Sequence, residues 1–436
     1  MNTIETIKER YQQLQSNNGS SVLTPIEQHA FNTFNTLGIP TVKNEEWKYT
    51  RINGVFNKEY AFNPEDISAS ISESDLNAIR FPGDEKTNEL VFVNGLYSNE
   101  LSTIHSENLT VISLEEATKS EYRELVLQHL GHSSKYINDG LNALNTAFAA
   151  EGVFIHVKKG DIVEHPVYIY NIIDARSANI LAQPRVLIYV GENAQVIFAE
   201  NYATFGAAES FTNQVTEIVV EKDALVEYYK IQNDAAHTNQ VTTTHIRQIG
   251  KSLVNTVTVS LDGGIVRNNL NIAMEAEYSE SHFFGLYFLK GATHVDNHTV
   301  VDNVKPHCQS NELYKGAVDD NATAVFNGKI FVQKDAQKTN AYQSNKNLLL
   351  SNNATVNTKP QLEIFADDVK CSHGCTVGQL DEEALFYLRS RGISEAAAKS
   401  LLIHAFAVDI LGHIKPEAIR QHVDELISRR LGVEIE

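Results

Sequence analysis

LDGGIVRNNLNIA, residues 261–273, opens on a two-glycine turn and then sets Val266, Asn268, Leu270 and Ile272 on one face of an extended chain. Successive strand side chains point to opposite faces, so this period of two reads as a strand with one face turned toward a core. The pattern extends in both directions: Val153, Ile155 and Val157 alternate, as do Val186, Ile188 and Val190. Short β runs from 151 to 380 are separated by GENAQ, EKDAL, LDGGI, DDNAT and SNNAT, turn-forming pieces that recur without a strict repeat. About 230 strand-rich residues with no helical period between them are long for one sandwich, whereas stacked coils extend indefinitely. The expected fold is therefore a parallel β-helix, with a pair of β-sandwiches as the alternative. Stacked Val, Ile and Ala would fill the coil, and the ladder of Asn, Thr and Gln is expected outside or at the turns.

Helical regions flank this core. Residues 1–150 read mainly as helix, beginning with TPIEQHAFNTFNTLGIP, where Thr24 and Glu27 are expected to form a capping box around Pro25 and Gly38 to end the helix. SLEEATKSEYRELVLQHLG repeats the logic, with Ser113 as cap, Leu125 and Leu130 buried and Gly131 at the exit. ELVFVNGLYS between them reads as a short strand pair or turn. Residues 381–436 return to helix: DEEALFYLRSRG stops at Gly392, SEAAAKSLLIHAFAVDIL places Ala398, Leu401, Leu402 and Ala405 on one face, and Pro416 starts a third helix ending near Arg429 and Arg430. Such a module suits docking, or capping of the last coil against edge pairing.

Thirty-six Lys and Arg against 55 Asp and Glu give a net charge of −19, which repels phosphate backbones and anionic membranes. Nucleic-acid binding is not expected. MNTIETIKERYQQLQ lacks the apolar stretch of a signal peptide, and no run of about 18 apolar residues occurs, so neither membrane insertion nor export is expected. A cytoplasmic protein follows, and the three cysteines, Cys308, Cys371 and Cys375, are expected as reduced thiols.

KCSHGCTVG carries the most suggestive chemistry, because Cys371, His373 and Cys375 are all ligand types for iron, zinc or cluster iron. On an extended chain the three share a face with neighbours roughly 6–7 Å apart, so two can serve one metal or adjacent irons but the outer pair cannot. Four-ligand closure then needs donors from elsewhere, which points to a transient site shared with a second polypeptide. Small buried thiols beside a surface histidine are the bland alternative. HVDNHTVVDNVKPHC offers His294, His298, His307 and Cys308, but strand geometry keeps them from converging; surface or turn histidines and a small core cysteine are expected. GKS at Gly250, Lys251 and Ser252 lacks the earlier glycine of a phosphate loop, since position 245 is His245. No GxSxG, HExxH or paired CxxC occurs either, so no enzymatic activity is expected of this chain.

NEEWKYT from Asn44, VDNHTVVDNVKPHCQSNELYKGAVDDNATAVFNGKIFV from Val295, and the stretch from AQKTNAYQSNKNLLL through DDVKCSHGCTVGQLDEEALFYLRSRGIS together resemble the SufB/SufD family of iron–sulfur cluster assembly proteins. The absence of extra cysteines in a longer N-terminal part favours its SufD branch. The resemblance implies a right-handed parallel β-helix between helical ends. It also implies a non-catalytic scaffold role beside a SufB-like subunit and a SufC-like ABC ATPase, the latter docking on the C-terminal helices, where Leu385, Leu388, Leu401, Leu402 and Phe406 are the candidate contacts. Carried over by motif, His373 and Cys371 would sit at the SufB-like interface as candidate ligands of iron or a transient cluster. No permanently bound cofactor is expected, and Cys375 falls where the family often has a small residue. A homodimer through the same edge is expected of the isolated chain. A β-helix enzyme acting on carbohydrate polymers is the competing class, but no pair of catalytic carboxylates stands out.

Overall fold

The computed structural model describes residues 3–17, 21–62, 70–83 and 86–432. Its centre is a parallel β-solenoid of about 8 turns. Each turn contributes one strand to each of two facing parallel sheets. In one sheet Val266 pairs with Val295, Val295 with Ala324, and Ala324 with Val356. In the other, Val254, Ser281, Ser310, Ala341 and Cys371 follow one another across five strands. The chain turns where the sequence supplies residues tolerant of left-handed backbone: Asn193, Asp223 and Asp320 have φ of 58°, 56° and 51°. Each of these sits in one of the recurrent pieces, and the alanine that follows closely (Ala194, Ala224, Ala322) is buried against the corner.

The inside of the coil is apolar along one side and polar along the other. Val186, Ile188, Val196, Ile218, Val226, Val254 and Val266 belong to the coil core, as expected from the alternation. The polar ladder, by contrast, runs inside. Lys230 Nζ donates to Thr242 and Thr244 at 3.0 Å each and lies 3.8 Å from Glu200. Gln214 donates to Glu200 at 2.9 Å, and Asn268 donates to Gln232 at 2.9 Å. The expectation of an outside ladder fails because the two sheets face each other across a narrow lumen and each coil repeats the height of the last, so an inward polar group meets a partner across the lumen or one turn away and its burial is compensated.

Helices cover both outer faces. The N-terminal side contributes helices Thr3–Asn17 and Thr24–Leu37, together with strands that extend the solenoid. Asn88–Val93 pairs with Val167–Asp174 and, antiparallel, with Leu96–Tyr97; Leu109–Ser113 pairs antiparallel with Val153–Val157. ELVFVNGLYS is thus the expected strand pair. Ser113 and Glu116 form a true capping box, and Gly38 and Gly131 take positive φ at helix ends. The box around Pro25 is absent: Leu23 occupies the cap, and Glu27 is buried and accepts the Ala150 N–H at 2.9 Å. A tertiary donor outcompetes the local one there, and burial raises the Glu27 pKa.

The C-terminal helices Glu382–Ser390, Glu395–Leu411 and Glu417–Leu431 fold back along the side of the second sheet. Ile403, Ala407, Ile410, Ile419, Val423 and Ile427 pack on Tyr229, Val257, Phe284 and Phe288. Arg430 pairs with Asp262 at 2.8 Å, and the His413 ring stacks on Phe284 at 3.4 Å. Ala398 is buried as expected, but Leu401 and Ala405 face outward: the buried stripe runs through Ile403, Ala407 and Ile410. The module therefore lies beside the solenoid and leaves its last coil uncovered.

Candidate functional site

The final strands of the two sheets, Thr355–Ile364 and Lys370–Gly378, each pair on one side only among the described residues. Their outer N–H and C=O groups are free to accept another strand. Pro360 stands in the first of them, a residue that belongs on an edge because it cannot donate to a ladder. Exposed apolar side chains gather at this end: Tyr342, Ile364, Phe365 and Val377.

Register fixes where the candidate ligands fall. Cys371 lies beside Ala341, His373 beside Gln343 and Cys375 beside Asn345. Ala341, Gln343 and Asn345 are buried inward-facing residues, so the three candidates continue the inward column of the preceding coil. The solenoid stops there, and the same positions that would be interior in any earlier turn are open. His373 and Cys375 are exposed, and Cys371 is half-buried against the coil core. Burial raises the Cys371 thiol, partly opposed by the Ala341 backbone, so the free thiol is protonated at neutral pH and metal binding would release its proton.

No three His, Cys, Asp or Glu side chains among the described residues come together as a metal site. Cys371 and His373 share one face of the edge strand with no third such side chain gathered beside them among the described residues. All three cysteines are free thiols.

The other sequence candidates fall elsewhere. His294 and His298 are not surface residues. They lie under the EEWKYT segment, where the His294 ring is 2.9 Å from Thr50 Oγ1 and His298 is 2.9 Å from Asp296 and 3.5 Å from Glu46. The alternation was read correctly, but the outward face of this strand is roofed by residues some 250 positions away. Arg267 completes this cluster, 2.8 Å from Asp296 and 3.9 Å over the Trp47 ring. His307 is the expected turn residue, with φ of 62°, and stacks on Tyr278. Cys308 is the expected core cysteine, its thiol pushed up to about 11 by burial. Gly250 to Ser252 form a coil corner in which the Ser252 hydroxyl donates to the Gly250 carbonyl.

On the C-terminal helices Leu385, Leu388, Leu402 and Phe406 are half-buried and Leu401 is exposed. Phe386 and Tyr387, 73% and 58% exposed, project further than any of them, and neither was singled out from the sequence. The available signal was the run ALFYL itself, in which a helix nine residues long cannot bury every apolar side chain on one face.

The family model described as SUF system FeS cluster assembly, SufBD core domain, matches residues 172–406, and that of the SufBD protein N-terminal region matches residues 2–169. The chain belongs to the SufBD family. Its core match ends within Glu395–Leu411, so the family core takes in the open coil and the first C-terminal helices that flank it. An iron–sulfur cluster assembly SufBD family protein from Synechocystis is 32% identical over 98% of this chain and 95% of that protein. The iron–sulfur cluster assembly protein SufD of Escherichia coli is 31% identical over 90% of each chain. Protein ABCI7, chloroplastic, of Arabidopsis thaliana is 31% identical over 64% of this chain and 60% of that protein. This SufBD protein is accordingly an iron–sulfur cluster assembly protein, and none of its described helices is long and apolar enough to cross a membrane.

Proposed function

We propose that this chain is the SufD-type scaffold subunit of a cytoplasmic assembly complex, joining a SufB-like subunit edge to edge at its open coil and a SufC-like ABC ATPase at its C-terminal helices. The carrying observation is the end of the solenoid, where Cys371 and His373 share an inward face that no further coil covers, beside two unpaired strand edges. A partner strand added there would satisfy the free backbone groups and bring its own donors to a pair that is too few to hold iron alone. The nascent cluster or iron is then cargo, assembled at the interface and released, and the chain itself carries no catalytic group. Leu385, Leu388, Leu401, Leu402 and Phe406, with the more exposed Phe386 and Tyr387, would receive the ATPase. The same edges would also allow the isolated chain to pair with a second copy. Three thiols without a disulfide partner support the cytoplasmic setting.

The test is anaerobic cluster reconstitution on the complex co-expressed with its SufB-like and SufC-like partners, comparing wild type with His373→Ala. Loss of cluster with the complex intact is the expected result. Unchanged cluster yield would remove His373 from the site and leave this chain a purely structural partner.

A further inference from the structure

The inward column beneath His373 continues through Gln343 to a carboxyl group. Glu312, Gln343 and His373 are successive register partners on three neighbouring strands. Gln343 Nε2 donates to Glu312 Oε2 at 2.6 Å, and the two side chains are 3% and 1% exposed. This bond places the amide nitrogen toward Glu312, whose carboxyl keeps an accepting oxygen whether or not it carries a proton, and leaves Oε1 for something else. Gln343 Oε1 is buried and has no partner. Across the lumen the space for this amide is kept by Gly328, where a Cβ would overlap the Gln343 side chain.

The neighbouring positions are built differently. Asn345, beside Cys375, donates its amide to the Tyr287 hydroxyl at 2.9 Å, and its oxygen accepts from Asn347 at 2.7 Å. Ala341, beside Cys371, offers no polar side chain. Of the three candidate ligands, only His373 stands one strand spacing, roughly 4.8 Å, from a buried acceptor left unsatisfied. Leaving such an acceptor dry is costly in a folded interior, and native proteins rarely do so without a use.

We infer that Glu312 and Gln343 are positioning residues for His373: Glu312 holds the Gln343 amide so that Oε1 accepts one ring N–H of His373, directing the other, unprotonated nitrogen toward iron at the partner interface. The inference rests on the reading of His373 as a ligand given above. Imidazole binds metal through the nitrogen that lacks a proton, and an acceptor on the other nitrogen fixes the tautomer, orients the ring and makes the ligand more basic. Burial lifts Glu312 to about 7, against the pull of Thr299 and Gln343, and either protonation state retains an oxygen that accepts from the amide. The ring of His373 is exposed in the free chain, and docking of the partner strand would close it onto Gln343.

The experiment uses the co-expressed complex labelled with ring-15N histidine, the His373 signals being those missing in His373→Ala, together with anaerobic Fe2+ titration. Wild type is expected to show one dominant His373 tautomer. Gln343→Leu and Glu312→Leu should lose that bias and bind Fe2+ about 10–100-fold more weakly. Glu312→Gln, which still accepts from Gln343, should retain both properties and so separates positioning from charge. An unchanged tautomer ratio in Gln343→Leu overturns the inference even if iron affinity falls. Equal Fe2+ affinity in wild type and His373→Ala overturns it as well, but by removing the ligand reading on which it stands.

Discussion

Glu312→Gln should stabilise this protein at pH 8 while leaving its architecture intact. The carboxyl group lies inside the coil, 1% exposed, with one hydrogen bond from Gln343 to Oε2 and none to Oε1. Burial raises its pKa from 4.5 to about 7. The folded state therefore holds a proton that the unfolded chain has already lost, and stability falls as pH rises from about 4.5 through about 7. A gap of about 2.5 pH units at about 1.4 kcal/mol each sets a ceiling of roughly 3 kcal/mol, fully expressed above pH 7. Glutamine cannot ionise and escapes that cost, but its amide nitrogen replaces an oxygen and must find an acceptor, which returns about 1 kcal/mol. The net gain expected at pH 8 is about 1–2 kcal/mol, turning into a loss of about 1 kcal/mol near pH 4, where the wild-type carboxyl is protonated in both states. Because a solenoid need not unfold as one unit, hydrogen exchange of Gln309–Val318 and Asn340–Leu349 is a better assay than a single melting midpoint. If protection in wild type and variant changes in parallel between pH 5 and pH 8, Glu312 is not raised and the reasoning fails.

Arg267→Met should cost about 3 kcal/mol, because it leaves the buried Asp296 carboxylate with only His298 and Thr50 and takes the cation from the Trp47 ring. Early proteolytic release of the Asn44–Phe56 stretch is the expected sign; a loss below about 1 kcal/mol would contradict it. The same segment should loosen in acid. Glu46 is held down to about 2, first by its hydrogen bond with His298, so its contribution is complete above pH 4.5 and is lost as pH falls toward 2. Flat protease protection from pH 5 to pH 2.5 would count against that window. Gly316→Ala should destabilise by about 1–3 kcal/mol, since the new methyl would overlap the Tyr287 ring that packs over this position. An unchanged urea midpoint would show that the stacked tyrosines can shift.

The solenoid was legible because its two signals are local. Period-two alternation marked the strands, and Asn193, Asp223 and Asp320 marked corners whose left-handed backbone those residue types tolerate. What the sequence hid was which polar residues face inward. Lys230 and Gln232 look like solvent-facing residues until the coil repeat is known, because Glu200 and Asn268, which they meet, lie about a turn away. The same limit applied to Glu27, whose partner is the Ala150 backbone, and to His298, which is roofed by Glu46. Cys371 and His373 became candidates from ligand type and spacing, whereas Gln343 and Glu312 were invisible: their relation to His373 is a register across three strands, and no motif records it.

The placement of the candidate ligands follows from how a coil satisfies itself. Inward polar groups in the middle of the solenoid meet partners across the lumen or one turn away, as Lys230 meets Thr242 and Thr244 across the lumen and Glu200 one turn back. A ligand placed there would be occupied before any iron arrived. On Lys370–Gly378 the next turn is missing, so the inward face retains its positioning from the coil beneath while losing its partners from the coil above. A partner strand on that edge would act as the missing turn, closing the backbone ladder and the metal site in one step. Coordination would then be coupled to subunit pairing, and anything that strained the C-terminal helices on Phe284 and Phe288 would act on the sheet that ends in His373.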